Sequence, residues 1–276
     1  MPLERITIFC FGASYALALL FELVHLLWPR PIHRLTSLGF GAAGLVAHTL
    51  YLAFHPTVFS SQSGTCLLLS WILAVFYLYG AIHHGKLVWG AFVLPLVLAL
   101  TGFAWFDAAN AAAPSTWSVD AGSIKGPHFW RMAHYALLLM AAVGVCVGFV
   151  ASVMYLFQAS RLKAKLAPGQ GLRLLSLERL EAMNKKAIIL AFPLLTAGVV
   201  VGVVLMLQRQ TESPADPVDP KIVGTGLLWI VFALLLYLRY GFHLRGRRLS
   251  ILTIIAFILL LLTLASSHTS VSGGRP

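Results

Sequence analysis

The sequence has few charged residues, and this scarcity excludes an ordinary soluble domain. Only 11% of the 276 residues are charged, whereas 59% are hydrophobic. Soluble domains have about a quarter of their residues charged, so a chain this apolar is expected to lie in a membrane. Acidic residues are the scarcest charged type, with nine against 20 Lys and Arg. The basic residues cluster between apolar runs, which is typical of membrane topology and does not indicate a nucleic-acid partner.

Cysteine is also scarce, and its placement excludes several kinds of chemistry. The three cysteines, Cys10, Cys66 and Cys146, are far apart in sequence. They form no CxxC redox motif, no CxxCH haem-attachment motif and no disulfide framework, so we interpret them as small buried hydrophobic residues. The sequence contains no self-contained catalytic motif, which leaves open whether the protein is an enzyme.

Long apolar runs are what the sequence has in abundance. A bilayer core about 30 Å thick requires about 20 apolar residues per helix. Hydropathy predicts eight such helices, at residues 6–28, 38–58, 66–84, 87–106, 128–157, 187–208, 222–240 and 249–267. The first run lacks a small-residue cleavage site and is therefore expected to remain as a membrane helix. The sequence thus predicts an all-α, polytopic membrane helix bundle, with one transmembrane domain spanning residues 1–276.

The distribution of basic residues predicts the orientation of these helices. The connections after helices one, three, five and seven hold thirteen Lys and Arg residues, and the other three connections hold three. Because basic connections remain in the cytoplasm, both termini and the connections near residues 62, 117 and 215 are predicted to face outward. The outer face is therefore where we expect an extracytoplasmic site.

The longest predicted cytoplasmic piece covers residues 158–186. It has a Pro168-Gly169 break, and Ser176 follows as a candidate helix N-cap. Leucines then recur at helical spacing. We therefore expect an amphipathic helix at the membrane interface, before the sixth span, whose basic residues contact anionic lipid.

Two histidines are predicted to reach the outer face. His134 lies about two turns into the fifth helix, and His268 lies at the outer end of the eighth. The outer connection between the sixth and seventh helices ends in Asp219-Pro220-Lys221, and Trp229 follows within the seventh helix. Neutral imidazole is a common metal ligand, so the two histidines and this loop are candidates for an external cofactor site. The alternative for each histidine is a hydrogen bond to a neighbouring helix.

Three further polar residues are predicted to lie within the bilayer. His48 falls near the middle of the second helix, and Glu22 and His25 lie near the inner end of the first. A charge at the bilayer centre costs about 2.5–3.5 kcal/mol on insertion scales, so Glu22 should have a partner, contact water or be protonated. Glu22 and His25 share a helix face, which favours a local hydrogen-bonded pair. The alternative is a path for protons or a cofactor from the cytoplasm.

The order of motifs in the second half of the chain resembles the cytochrome c assembly family, the haem-handling membrane proteins of the CcsA and CcmC kind with their short HemX-like relatives. The resemblance covers residues 128–270. The matching pieces are WRMAH ending at His134, SLERLEAMNKKAIILAFPLLTAGVVVG, Asp219-Pro220-Lys221 with Trp229, Arg239, RGRR at 245–248, and His268. In the first half, His48 stands where short relatives tend to have a membrane histidine.

The resemblance implies a multi-pass protein of the bacterial plasma (inner) membrane that binds b-type haem non-covalently and presents it at the outer face. His134 and His268 would be the axial ligands of the iron. Asp219, Pro220, Lys221, Trp229 and His48 would be further cofactor-binding residues. The implied partners, besides haem and the lipid bilayer, are an apocytochrome c and a second membrane protein of cytochrome c biogenesis.

The chain departs from the family pattern in several places: the WGxxW portion of the external loop is absent from QRQTESPADP, Tyr237 stands where larger members have a membrane histidine, and two tryptophans are missing. Val218 stands where the family has the last tryptophan of its external loop, and Gly224 stands where another tryptophan often occurs. These departures favour a second hypothesis, an accessory membrane protein that senses haem or regulates tetrapyrrole supply without transferring haem. A third hypothesis is a small-solute or ion permease that uses Glu22, His25 and His48. The absence of an inverted sequence repeat argues against it.

Overall fold

The computed structural model describes residues 7–28, 30–55, 62–83, 89–110, 127–163, 175–209, 220–242 and 246–265. In these ranges all regular secondary structure is α-helical. The helices are α1 (Ile8–Leu27), α2 (Pro31–Phe54), α3 (Gln62–His83), α4 (Gly90–Asn110), α5 (Pro127–Lys163), α6 (Leu177–Arg209), α7 (Pro220–Tyr240) and α8 (Arg247–Ala265). All eight described helices are long and apolar enough to cross a membrane. The prediction of a polytopic helical bundle is confirmed.

The described helices pack as two compact units, α1–α4 and α5–α8, and the prediction of one transmembrane domain remains a prediction. In the first unit each helix packs against its neighbours in sequence, and α1 also packs against α4. Tyr15 lies against His48, and Ala18 lies against Ser37, so α1 and α2 run antiparallel. The centre of this unit contains large, fully buried side chains such as Phe11 and Tyr77.

The second unit is built on the two longest helices, α5 with 37 residues and α6 with 33. At a rise of about 1.5 Å per residue, both are longer than the bilayer core requires. Small residues allow them to approach closely: a Cβ atom on Gly144 would lie only 2.7 Å from the Cβ of Ala191. Such small-residue contacts are a common basis of helix association in lipid, where hydrophobic burial contributes little.

A buried polar cluster joins three helices of the second unit. The Asn184 side-chain amide in α6 donates hydrogen bonds to Ser152 Oγ in α5, at 2.7 Å, and to Thr253 Oγ1 in α8, at 3.3 Å. All three side chains are buried. Because lipid cannot satisfy these groups, each helix finds its polar partners on the others, which specifies the register of the bundle.

The predicted cytoplasmic piece at residues 158–186 is described only in part, because residues 164–174 lie outside the described residues. The helix α5 continues to Lys163, and α6 begins at Leu177, so Leu177 and Leu180 of the predicted interfacial helix belong to the first turn of α6. Leu180 is completely buried there, so it packs against the protein. The predicted cap is present, since Ser176 Oγ accepts a hydrogen bond from the backbone N–H of Arg179 at 3.4 Å.

Candidate functional site

The candidate site is centred on His134, two turns into α5 as predicted. Its imidazole lies against α6, with Nδ1 2.7 Å from the carbonyl oxygen of Gly198. A carbonyl oxygen can only accept, so Nδ1 carries the hydrogen and donates it. In the neutral imidazole, Nε2 then has a lone pair and no hydrogen. The backbone of α6 therefore selects one tautomer of His134.

Gly202 allows the imidazole to lie this close to α6. A Cβ atom at this position would be 2.7 Å from His134 Cε1 and 3.1 Å from Nδ1. One turn earlier, a Cβ atom on Gly198 would lie 2.7 Å from Leu138 Cδ2. The GVVVG segment of α6 thus forms a shallow surface against which α5 and its histidine pack, and this contact orients the ring.

The remaining ring nitrogen is in a state suited to metal binding. His134 is half-buried, and its Nε2 makes no hydrogen bond to another described residue. Histidines that bind metals usually donate their other N–H to a carbonyl or carboxylate, which fixes the tautomer and strengthens the ligand. The Gly198 contact supplies that feature. It is at the same time the inter-helix hydrogen bond that the sequence left open as the alternative.

The structure describes only some of the other residues that were predicted to bind the cofactor. His268 and Asp219 lie outside the described residues. Pro220 and Lys221 are the first two residues of α7, so the motif enters the seventh helix as predicted. Within the described ranges, no group of three or more His, Cys, Asp or Glu side chains is placed to hold a metal ion.

The topology brings the relevant helix ends of the second unit together. Gly202, near the end of α6, lies against His134, near the start of α5. Gly224, near the start of α7, lies against Thr263, near the end of α8. Because the four helices alternate in direction, these four ends form one end of the unit, which we call the His134 end.

Trp229 lies between α6 and α7. Its indole Nε1 donates a hydrogen bond to Thr196 Oγ1 at 3.0 Å, and its ring stacks on Phe192 with the centroids 5.9 Å apart. These contacts attach α7 to α6. The predicted role of Trp229 in cofactor binding remains a prediction. Sequence reasoning did not identify Thr196, because a threonine in an apolar helix carries no pattern that reveals its partner.

The departure at Gly224 has a structural reason. A Cβ atom there would lie 2.6 Å from Thr263 Oγ1 and 3.1 Å from its Cγ2. A tryptophan at this position would force α7 and α8 apart. The absence of the family's tryptophan at this position is therefore part of how these two helices pack.

His48 lies in the first unit and is completely enclosed. Its ring stacks on Phe11 with the centroids 4.1 Å apart and the planes nearly parallel, and its Nδ1 is 3.4 Å from the hydroxyl oxygen of Tyr15. The side chain has no exposed surface, and Nε2 has no hydrogen-bond partner among the described residues. The predicted cofactor role of His48 remains a prediction.

The expected hydrogen-bonded pair of Glu22 and His25 is not formed. His25 Nδ1 instead lies 3.1 Å from the carbonyl oxygen of Arg30, and Glu22 Oε2 lies 3.3 Å from Ser37 Oγ in α2. The shared helix face predicted proximity correctly but not the partners. The spacing of residues within α1 could not predict these partners, because Arg30 precedes α2 and Ser37 lies in α2.

These features define a multi-pass helical membrane protein with an oriented imidazole near one end of its second four-helix unit. The chain matches the family model described as cytochrome c assembly protein over residues 59–272. Because the match covers more than half of the chain, the protein belongs to the cytochrome c assembly protein family and has a role in cytochrome c biogenesis. The match begins well before residue 128, so it includes α3 and α4. No curated protein and no solved structure matches the chain significantly.

Proposed function

We propose that the protein binds b-type haem non-covalently at the His134 end and presents it for cytochrome c biogenesis in the bacterial plasma membrane. His134 would supply one axial nitrogen through Nε2, and His268 would supply the other. When bound, haem supplies the vinyl groups that are joined to the cysteines of an apocytochrome c. The chain has no CxxCH motif of its own, so it would be the presenter and not the acceptor.

The hydrogen bond from His134 Nδ1 to the Gly198 carbonyl oxygen, 2.7 Å long, is the observation that carries this proposal. A freely rotating imidazole can offer either nitrogen and must lose that freedom on binding iron. His134 has already lost it through its contact with α6. A ligand held in this way binds more tightly, because less ordering remains to be done when the metal arrives.

The register of α5 against α8 supports the pairing of His134 with His268. Tyr155 lies against Gly246, and Gly148 lies against Thr253, so positions toward the start of α5 oppose positions toward the end of α8. The end of α8 therefore lies at the same end of the unit as His134. His268 follows the last residue of α8 by three positions in the sequence.

Two basic residues are suited to the haem propionates. Arg209 is the last residue of α6, and Lys221 is the second residue of α7, so both backbones lie at the His134 end. Ammonium and guanidinium groups form charge-assisted hydrogen bonds with carboxylates. We propose that these two residues would pair with the propionates of bound haem.

The partners follow from the family. We propose that an apocytochrome c receives the haem and that a second membrane protein of cytochrome c biogenesis completes the site, as the resemblance implies. The departures at Val218 and Gly224 remove aromatic surface from this chain. A partner that contributes stacking surface would compensate for this loss.

Absorbance of the purified protein tests the haem proposal. Expression with adequate haem should give a Soret band, and the variants His134→Ala and His268→Ala should each weaken or shift it. His83→Ala is the matched control, because His83 is exposed at the end of α3 in the other unit. Absence of a Soret band, or a spectrum that neither variant changes, would contradict the proposal.

The second candidate function, an accessory protein that senses haem or regulates its supply, is favoured by one observation. The contact of Gly224 with Thr263 excludes the tryptophan that family members often have at that position. A deletion strain separates the two functions. If covalent c-type cytochromes in a haem-stained gel are lost, the presenting role is supported, whereas normal c-type cytochromes would support the accessory role.

A further inference from the structure

The first unit contains a carboxylate within a membrane-spanning helix that the haem proposal does not use. Glu22 in α1 is only 9% exposed. An ionisable residue in such a position is costly to bury and is a candidate for function. Glu22 belongs to the first unit, whereas His134 belongs to the second.

All four helices of the first unit contribute to the surroundings of Glu22. From α2, Ser37 Oγ lies 3.3 Å from Glu22 Oε2. From α4, the first residue, Gly90, lies directly against the carboxyl group. From α3, the Tyr77 hydroxyl lies 3.1 Å from Ser37 Oγ. The carboxylate can come this close to the start of α4 because Gly90 has no side chain, since a Cβ atom there would lie 2.9 Å from Glu22 Cδ.

The hydrogens of this cluster can be arranged in two ways. Ser37 has a single hydroxyl hydrogen but two acceptors within reach, Glu22 Oε2 at 3.3 Å and the Ala18 carbonyl oxygen at 2.9 Å. When Glu22 is ionised, Ser37 donates to Oε2. When Glu22 carries a proton, its O–H donates to Ser37 Oγ, and Ser37 turns to donate to Ala18. Tyr77 donates to Ser37 Oγ in both arrangements, because a hydroxyl oxygen accepts two hydrogen bonds.

We propose that Glu22 is a proton-binding site of the first unit, which takes up a proton from water and returns it without any repacking of the helices. Rotation of the Ser37 hydroxyl group gives a hydrogen-bond partner to both the protonated and the ionised form of Glu22. A structural ion pair would satisfy only the ionised form, and a merely buried acid would satisfy only the protonated one. The two acceptors within reach of Ser37 distinguish this site from a structural ion pair and from a merely buried acid.

Charged and titratable groups face the carboxylate from three helices. His25 on α1 and Arg34 on α2 interact with it electrostatically, and Tyr77 on α3 reaches it through Ser37. Among the described residues of α4, the one that lies against it is Gly90, which has no titratable group. Arg34 directs a guanidinium nitrogen to the Ala81 carbonyl oxygen at 3.1 Å, so its charge is held in place while Glu22 gains or loses a proton.

Infrared spectroscopy of the purified full-length protein tests this proposal. The wild type should show a protonated-carboxyl C=O band that gains intensity at acidic pH, loses it at alkaline pH and shifts in D2O. Because every carboxyl group of the chain contributes such a band at acidic pH, the contribution of Glu22 is the wild-type spectrum minus the Glu22→Gln spectrum. This difference should contain a pH-dependent C=O band whose frequency differs from that in the matching difference for Glu178→Gln, because Glu178 is exposed in α6. A Glu22 difference spectrum with no pH-dependent C=O band would overturn the proposal.

A second variant keeps the test decisive if Glu22→Gln does not fold. Ser37→Ala leaves the carboxyl group in place but removes the group that accepts its hydrogen. The band should then move to higher frequency, as expected for a carboxyl group that has lost a hydrogen-bond partner. An unchanged frequency would show that Ser37 is not the partner of the acid and would overturn the proposed exchange. The Soret spectrum should be the same in both variants as in the wild type, which separates this test from that of the haem site.

Discussion

Replacing Gly202 with alanine tests whether α6 holds His134 in place for binding. The added methyl carbon would lie 2.7 Å from Cε1 of the imidazole, whereas ordinary contacts begin at 3.4 Å. The ring must therefore move away from α6 by about 0.7 Å, because carbon atoms repel steeply inside their contact distance. The 2.7 Å hydrogen bond from Nδ1 to Gly198 would then stretch to the limit at which such bonds persist.

The expected effect is a weaker affinity for haem. Loss of the group that orients a metal-binding histidine typically lowers metal affinity about 10- to 100-fold. A tenfold change corresponds to about 1.4 kcal/mol, which is comparable to the net contribution of one hydrogen bond, roughly 0.5–1.5 kcal/mol. We therefore expect the dissociation constant for haem to be about 10- to 100-fold higher for Gly202→Ala than for the wild type.

The assay is a haem titration of purified protein followed at the Soret band, with Gly226→Ala as the control. No described atom lies within 4 Å of a Cβ atom built on Gly226 in α7. Alanine within a helix is favoured over glycine by about 0.5–1 kcal/mol, so this control should bind haem normally and unfold no more readily. Wild-type affinity in Gly202→Ala, combined with loss of binding in His134→Ala, would refute the positioning argument. Equal weakening in both glycine variants would indicate a general disturbance of packing.

Three further changes test other contacts of the second unit. Thr196→Val leaves the indole N–H of Trp229 without its acceptor, so the free energy of unfolding should fall by about 1–3 kcal/mol in chemical denaturation. Asn184→Leu breaks the buried polar cluster and should cost about 0.6–1.7 kcal/mol, measured in the same way; an unchanged midpoint would show that the cluster adds no stability. Val218→Trp should tighten haem binding in a Soret titration by restoring stacking surface, whereas Gly224→Trp should lower the yield of folded protein in size-exclusion chromatography. A wild-type yield of folded Gly224→Trp would contradict the packing of α7 on α8.

The fold was predictable because a bilayer imposes one requirement on every span. About 20 apolar residues per helix are needed, and that count alone locates eight helices to within several residues. The helix ends beyond the bilayer are set by other forces. Sequence hydropathy therefore ended the fifth span near residue 157 and began the sixth near 187, whereas α5 continues to Lys163 and α6 begins at Leu177. Polar helix ends of this kind are stabilised by caps and by packing, as at Ser176 and Leu180.

The candidate site was predictable only in part. His134 stands out because a histidine is rare in so apolar a helix, but its partner is a backbone carbonyl, which every residue possesses. Nothing in the sequence distinguishes the carbonyl of Gly198 from its neighbours until α5 and α6 are placed side by side. The same limit applies to Glu22, for which helical spacing indicated His25 and the structure gives Ser37.

Both polar sites depend on a glycine in the helix that faces the ionisable side chain. In water a polar side chain can turn to solvent, but within a bilayer it must reach a polar group of another helix. A Cβ atom on that helix often blocks the approach, as it would at Gly202 for His134 and at Gly90 for Glu22. A glycine that faces an ionisable side chain of a neighbouring span is therefore as much a part of the polar site as the side chain itself. On this argument, alanine at Gly90 should disturb the infrared band of Glu22 and leave the Soret band unchanged, and alanine at Gly202 should do the reverse.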